Sequence, residues 1–430
     1  MAYQNSSPIS SLSRLGIWLI SVSFVLFQFF LQLSSGVVIG AIMHEMNLSA
    51  LTAGLLSSSF YIIYTGLQIP VGILFDKKNA RLLLTVNVLL CSMGCFIFGT
   101  SHGLLGLFLG RLLIGAGSAF AFIGLSHLLR QHYPLRQFAF MIGLSETLGF
   151  IATVIGMIVL GALVTECGWR SFINSAGMLG LLITYLCWTF IPNTPPPPSE
   201  KKPYNRQLMS IIFNKKAWIN GLFVGLTFTV VTVFGALWAM PFIQAKLNCN
   251  IQQASLLCAI FFLGTALSCP LFGFLSTTLK KRRPLILSSC LSTSMILLVL
   301  LYLPTNSHAV VAGLMFMIGL CCGAYMLAYT IANELAPPDA LSTCTGFTNM
   351  LAVLTTPMLQ PLIGYQLDLL NHTGVYTLSN YQNALLTIPV SLIIASILVL
   401  FLPEKPAHPK RRPLKTTTST FGVSENRIDA

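Results

Sequence analysis

Two long apolar runs of this 430-residue chain are joined by the stretch Gly72-Ile73-Leu74-Phe75-Asp76-Lys77-Lys78-Asn79-Ala80-Arg81. It gathers one acid and three bases into ten residues, although only 8% of the sequence is charged and 55% is hydrophobic. A soluble domain carries roughly 25% charged residues. Each flanking run is long enough to cross a bilayer, which needs ~20 apolar residues. The stretch therefore predicts a short charged loop between two membrane-spanning helices.

The basic residues along the whole chain also lie mainly in gaps between apolar runs. Of 24 Lys and Arg residues, 21 fall in alternate gaps between apolar runs. Arg170 and Lys246 occupy the other gaps, and only Arg111 lies inside a run. Short loops that keep Lys and Arg lie on the cytoplasmic side of a membrane. The alternation predicts a multi-pass membrane protein with both termini in the cytoplasm.

Twelve apolar segments have the length of a spanning helix, so the sequence predicts an all-α membrane protein. We place them near 15–43, 47–75, 82–101, 104–129, 137–165, 171–191, 217–243, 251–279, 284–304, 309–332, 341–367 and 382–402. The gap at 333–340 fits the charge alternation least well, since it holds two acids and no base.

The longest internal gap divides the chain into two halves of six helices. It contains the tetraproline Pro195 to Pro198, and such a segment is a stiff spacer. We expect a cytoplasmic N-terminus at 1–14, six-helix bundles at 15–191 and 217–402, and a cytoplasmic linker at 192–216. Residues 403–430 are polar and basic, which predicts a disordered cytoplasmic tail.

The two halves also repeat a spacing. Pro134, Gly143 and Glu146 in the first half are matched by Pro337, Gly346 and Asn349 in the second, at identical intervals. Weak internal repeats of this kind mark transporters built from two pseudo-symmetric bundles.

Several classes of protein are excluded by composition and motif. The net charge of +13 is spread over loops and forms no nucleic-acid-binding motif. There is no CxxC pair, no metal-ligand spacing and no G-x-x-x-x-G-K-[ST] loop, so we expect no cofactor, no metal and no ATP use. No Ser/His/Asp set or paired membrane carboxylates indicate an enzyme. Cys167 and Cys249 would both face outside, where they could form a disulfide.

The Gly72–Arg81 stretch resembles the major facilitator superfamily signature G-x-L-x-D-r-x-G-r-[KR], found between helices 2 and 3. Asn79 replaces the usual second glycine. The resemblance implies twelve helices in two bundles and transport by alternating access. It also implies a latch on the cytoplasmic side formed by Gly72, Asp76, Lys77 and Arg81, in which Gly72 permits close helix approach and Asp76 faces helix 11. A plain basic topogenic loop is the alternative.

Two charged residues inside the runs are candidates for function. Arg111, within Gly110-Arg111-Leu-Leu-Ile-Gly115-Ala-Gly117, resembles the family's helix-4 motif R-x-x-x-G-x-G. The resemblance implies a role in substrate binding or proton coupling, and an arginine reaching for the membrane surface is the alternative. Glu146 is the only acid deep within a run. It could carry protons, because burial disfavours the charged form, or it could join the latch.

Uncharged polar residues complete the predicted substrate site. Gln28 and Gln32 lie one helical turn apart and share a face, as do Tyr325 and Tyr329. With Arg111 and Asn349 they would hold a small polar solute near the middle of the membrane. The amides could equally bond across helices, and the aromatic rings could simply pack.

The direction of transport is less determined than the class of protein. Helix 5 lacks the proline of the G-x-x-x-G-P-x-x-G-G motif of drug exporters. The segments Phe29–Val37 and Gly143–Thr147 look like those of phagosomal-type nutrient transporters of intracellular gammaproteobacteria. That likeness implies uptake of an amino acid, nucleoside or similar nutrient across the bacterial inner membrane, with protons as the driving ion. It also implies a protein that works as a monomer in contact with lipid. Export of a siderophore or drug, or siderophore import, remains the alternative.

Overall fold

The structure is a computed structural model that describes residues 11–33, 35–133, 135–193, 209, 211–279, 281–335, 341–371 and 375–402. Of Asp76 and Lys77 it describes the backbone alone. The predicted N-terminus, linker and tail lie wholly or partly outside these residues, as do Pro134 and Pro337 of the repeat. Every regular element in the described residues is a helix, as the sequence predicts.

The helices form twelve spans, which we number in chain order. Span 1 consists of Ser11–Leu33 and Ser35–Met46, span 2 is Ala50–Lys77, span 3 is Ala80–Thr100, and span 4 is Leu104–His132. Spans 5 and 6 share the helix Leu135–Phe190. Span 7 consists of Lys215–Thr229, Val230–Trp238 and Ala239–Leu247, span 8 is Ile251–Leu279, and span 9 is Arg283–Tyr302. Span 10 consists of His308–Cys321, Cys322–Met326 and Leu327–Leu335, span 11 of Leu341–Leu354 and Thr356–Leu370, and span 12 of Leu378–Leu385 and Thr387–Val399.

Two boundaries differ from the sequence prediction. Spans 5 and 6 are separated by a sharp turn at Gly168 instead of a loop, because its φ of 78° is a conformation that glycine adopts without strain. Among the described residues, eleven helices are long and apolar enough to cross a bilayer, and span 11 is not one of them. Thr355 interrupts it, and the helix restarts with Pro357 in its first turn, where a missing N–H is harmless.

The helices pack as two halves that meet along three pairs of spans. Spans 1 to 6 pack on one another, and so do spans 7 to 12. Span 2 packs along span 11, span 5 along span 8, and the second part of span 1 against span 7. We call the helix ends that carry Lys78, Arg130, Lys216 and Arg283 the basic side, and the other ends the opposite side.

Two spans of the second half lose regular α-helical geometry. Span 7 contains the π-helix Val230–Trp238, and span 10 contains the 3-10 turn Cys322–Met326. A backbone group freed by such a break must find a partner, because lipid offers none. Buried polar side chains from other spans supply these bonds. Ser289 donates to the Cys321 carbonyl at 2.5 Å, and Gln360 donates to the Thr232 carbonyl at 2.8 Å.

The two halves are joined on the opposite side by a carboxylate at the start of a helix. Asp368 in span 11 accepts bonds from the backbone N–H groups of Ala50 at 3.0 Å and Leu51 at 2.9 Å. These are the first residues of span 2, whose N–H groups have no partner within the helix. Tyr376 donates its hydroxyl to the same carboxylate at 2.6 Å. Burial raises the pKa of Tyr376 to about 12, so this donor keeps its proton.

Small residues let the same helices approach closely. A Cβ on Gly364 would lie inside van der Waals contact of the Ala50 carbonyl oxygen. One turn deeper in the contact, Ser58 donates to Gln360 at 3.3 Å and is fully buried. The opposite side is therefore closed by direct contact between spans 2 and 11.

We predict that Asp368→Asn weakens this closure, because an amide accepts fewer bonds and has no charge to complement the helix N-terminus. Loss of such a cap costs about 1 kcal/mol, or about fivefold in the balance of closed and open states. A thiol introduced as Ser58→Cys should then react about fivefold faster with a water-soluble maleimide.

The matched control is Glu45→Gln. Glu45 is also a carboxylate on the opposite side, but it bonds to Arg170 at 2.5 Å and Trp169 at 2.6 Å, all within the first half. Its replacement should leave the labelling rate at position 58 unchanged. Equal effects of the two substitutions, or none from Asp368→Asn, would contradict the proposed role of Asp368.

Candidate functional site

A water-accessible cavity of about 110 Å³ lies between the two halves. Its wall is built from both halves, and it extends toward the basic side as far as Arg130, near the end of span 4. The lining residues are Gln28, Phe29, Gln32, Tyr64, Phe122, Ser126, Arg130, Ile142, Glu146, Phe228, Tyr325, Met326, Tyr329, Asn349 and Val353. Cavities that combine an apolar wall with a few convergent polar groups are the usual form of a small-molecule site.

The structure brings six of the seven predicted binding and coupling residues to this one wall. These are Gln28, Gln32, Glu146, Tyr325, Tyr329 and Asn349. They come from spans 1, 5, 10 and 11, and the sequence pattern alone does not predict that these four spans meet. The remaining residue, Arg111, lies elsewhere.

Gln28 and Gln32 share one face of span 1, as their spacing predicts. Gln28 donates its amide N–H to Gln32, and both residues are buried. The side-chain carbonyl of Gln28 has no hydrogen-bond partner within the part of the chain that is described. Gln28 lines the cavity, so this carbonyl is a candidate acceptor for a bond from a solute.

The second half contributes a chain of polar groups that crosses to the first. Tyr329 donates to Asn349 at 2.8 Å, and Asn349 donates to Gln68 of span 2 at 2.9 Å. The Tyr325 ring packs on Phe228 with ring centroids 4.9 Å apart. Tyr329 and Asn349 therefore bridge the halves as well as line the cavity.

Glu146 is the only carboxylate on the described cavity wall. It has no hydrogen bond or ion pair with any residue for which the structure describes a side chain, but it lies near enough to Tyr64, Tyr325 and Tyr329 to interact electrostatically with their hydroxyls. An unpaired carboxyl in such a place is costly when ionised, which favours proton uptake or pairing with a ligand.

Arg111 is 5% exposed and does not reach the cavity wall. It donates to the Leu31 carbonyl at 2.9 Å, in the last turn of the first part of span 1, and its guanidinium lies 5.0 Å from the Phe60 ring centroid. Arg111 also lines a small separate cavity with Leu31, Phe98 and Ile114, and its Nε and Nη2 atoms have no hydrogen-bond partner among the described residues. Its bond to the Leu31 carbonyl joins span 4 to span 1 at the residue before Gln32.

The predicted latch is only partly described. Arg81 stacks on the Trp188 ring at 4.3 Å, and Asn79 caps span 3 by accepting from the Arg81 N–H at 2.8 Å. Among the described residues nothing lies within 4 Å of a Cβ built on Gly72, so the close approach expected there is not seen. The side chains of Asp76 and Lys77 lie outside the description, and the latch stays a prediction.

Several lining residues are not among the predicted site residues. Tyr64 lines the cavity, and Gln68, one turn further along span 2, bonds to Asn349; their spacing is that of Gln28 and Gln32 and could have indicated them. Arg130 also lines the cavity, although the sequence pattern indicates only a base in a loop between spans. The structure has Cys167 and Cys249 as free thiols. No cluster of metal-ligating side chains occurs among the residues described.

A two-half helical fold around a cavity closed on one side defines a membrane transporter. The sequence matches the profile of the Major Facilitator Superfamily over residues 18–354 and 222–426, and the chain belongs to that superfamily. The superfamily resemblance, the twelve-helix fold and the assignment as a transporter instead of an enzyme are thereby confirmed.

Curated relatives are distant but extend along most of the chain. The probable galactarate/D-glucarate transporter GarP of Escherichia coli K12 is 23% identical over 407 residues, covering 83% of this chain and 87% of that protein. The chloroplastic ascorbate transporter of Arabidopsis thaliana is 26% identical over 263 residues, covering 55% and 47%.

Solved structures show the same fold. A bacterial homologue of the human lysosomal transporter Spinster, crystallised inward-facing and unoccupied, superposes with a TM-score of 0.75 at 18% identity, covering 91% of this chain and 97% of that one. The nucleoside transporter NupG gives a TM-score of 0.70 at 14% identity, covering 90% and 98%.

We predict that Arg111→Ala destabilises the protein, because the Leu31 carbonyl loses a charged donor worth about 2 kcal/mol. Arg111→Lys keeps a charged donor and should lose less. Thermal unfolding in detergent checks both variants, with the wild type alongside. An Arg111→Ala protein that unfolds at the wild-type temperature yet no longer transports would instead indicate direct contact with the solute.

Proposed function

We propose that this secondary transporter takes up a small polar solute, such as an amino acid or a nucleoside, across the bacterial inner membrane with protons as the driving ion. The solute site is the cavity between the halves. Gln28, Gln32, Tyr325, Tyr329 and Asn349 hold the solute, and the chain acts as a monomer surrounded by lipid. The charge of the loops supports cytoplasmic termini, and in that orientation the cavity extends toward the cytoplasm.

The observation that carries the proposal is the position of Glu146. It is the single carboxylate on the described wall of a cavity between the halves, and it has no cationic partner there. When the carboxyl is protonated, the wall is neutral and the halves can close around the solute at little electrostatic cost. When it is ionised, it favours a state in which water reaches it. A proton can therefore bias the balance of the two states.

The polar groups of the cavity support a hydroxyl- or amide-bearing solute. The Gln28 carbonyl lacks a partner among the described residues, and three phenols surround the site. Such groups give orientation through hydrogen bonds, while Phe29 and Phe228 offer faces for the apolar part of a ring. Arg111 is a positioning residue in this proposal, since its bond to Leu31 fixes the turn that carries Gln32.

Uptake into proteoliposomes of pooled, labelled amino acids and nucleosides tests the proposal. We expect uptake to rise with an inward proton gradient. Glu146→Gln should abolish that rise and leave only slow downhill uptake, because an amide cannot release a proton. Glu45→Gln is the matched control, since its carboxylate lies on the opposite side and should not alter gradient dependence.

Two results would oppose the proposal in different ways. Gradient-driven uptake that survives in Glu146→Gln would remove the proton-carrier role of that residue. No uptake of any pooled solute, with or without the gradient, would favour the alternative of an exporter of siderophores or drug-like compounds.

A further inference from the structure

The cavity has an uneven distribution of charge along its axis. Only two of its described lining residues carry charged groups, Glu146 and Arg130. Arg130 lies two residues before the end of Leu104–His132 on the basic side. Glu146 follows Leu135 by eleven residues, which is about 16 Å along the helix at 1.5 Å per residue. The base therefore lies at the mouth and the acid in the interior.

Three other cations of the described spans make their contacts outside this interior. Arg111 bonds to the Leu31 carbonyl and borders a separate cavity. Arg81 stacks on Trp188 at the basic side, and Lys246 donates to the Leu303 carbonyl at 2.8 Å on the opposite side. The interior thus has no described guanidinium or ammonium with which a solute anion could pair.

The charge of a solute has a large effect in such a site. A carboxylate moved into the interior gives up its water and meets either a neutral or a negative Glu146, and neither compensates for the lost hydration. An uncharged hydroxylated ring meets amides and phenols that can bond to it. An ammonium group can pair with the ionised Glu146 and with the faces of nearby aromatic rings.

We infer that the cavity interior takes solutes whose buried part is neutral or carries an ammonium group, and that it rejects the sugar dicarboxylates for which the relative GarP is named. The chemical class is a hydroxylated or aromatic ring without a negative charge at its inner end, with or without an amine. The inference rests on the proposed function, since it takes this cavity to be the solute site. It makes Glu146 the residue that determines charge specificity.

The test measures the cavity's charge preference directly with thiol reagents. A thiol is introduced as Ile142→Cys, which lies on the cavity wall one turn from Glu146 on span 5. Its rates of modification by a cationic, a neutral and an anionic methanethiosulfonate of similar size are divided by their rates with a small thiol in water. The protein without Ile142→Cys gives the background from native cysteines such as Cys269.

We expect the normalised cationic rate to exceed the anionic rate at least tenfold. Adding Glu146→Gln should reduce this ratio severalfold, and adding Glu45→Gln should leave it unchanged. A second reporter, Ser126→Cys, lies one turn from Arg130 at the mouth and should show a smaller ratio. If the Ile142→Cys protein fails to fold, Ser126→Cys replaces it as the reporter of the cavity's charge preference.

An anionic rate equal to or above the cationic rate at the interior reporter would overturn the inference, as would a ratio insensitive to Glu146→Gln. The measurement does not depend on transport. Absence of uptake in proteoliposomes would therefore count against the proposed function alone, while the thiol rates decide the charge preference of the cavity.

Discussion

The structure depends on one constraint: a backbone group released from a helix inside a membrane needs a partner within the protein. Spans 7 and 10 both lose regular geometry, and each break is supported by a buried side chain from another span: Gln360 bonds to Thr232 and Ser289 to Cys321. Arg111 of span 4 likewise bonds to the Leu31 carbonyl of span 1. These buried bonds to backbone carbonyls are thus also the points at which the spans are held together.

These supports connect the cavity between the halves to the closure of the opposite side. Gln360 bonds to the π-helix of span 7 and accepts from Ser58 of span 2, so it touches three spans and both halves. About two turns further along span 11, Asp368 caps the start of span 2. A movement of span 11 that opens the opposite side must break both sets of contacts. The same span carries Asn349 on the cavity wall, so a movement of span 11 would also alter the cavity.

The sequence predicts the fold and much of the cavity, for identifiable physical reasons. Charge alternation and apolar length define the spans because the bilayer imposes both. Glu146, Gln28, Gln32 and Asn349 are conspicuous as polar groups within apolar runs, and all four line one cavity. Arg111 is equally conspicuous, yet it donates to the Leu31 carbonyl and does not line the cavity, because sequence does not show toward which neighbour a buried charge is directed.

Other features depend on contacts between distant parts of the chain. Asp368 is separated from Ala50 by 318 residues, and nothing in either segment indicates that they meet. The role of Gln68 is apparent only from the hydrogen bond that it accepts from Asn349 in the other half. The interruption of span 11 at Thr355 follows from Pro357. The sequence does not predict it, because the apolar run around it is long enough for one unbroken spanning helix.

The central claim is that the two halves move as rigid bodies about the cavity, and spin-label distances test it most directly. One pair, Leu105→Cys and Val310→Cys, reports on the opposite side, where Leu105 is 85% and Val310 42% exposed. A second pair, Lys78→Cys and Lys281→Cys, reports on the basic side, where both residues are exposed. In lipid nanodiscs, with the native cysteines replaced, Asp368→Asn should lengthen the first distance and shorten the second. Distances that change in the same direction on both sides, or on neither side, would contradict alternating access by these two halves.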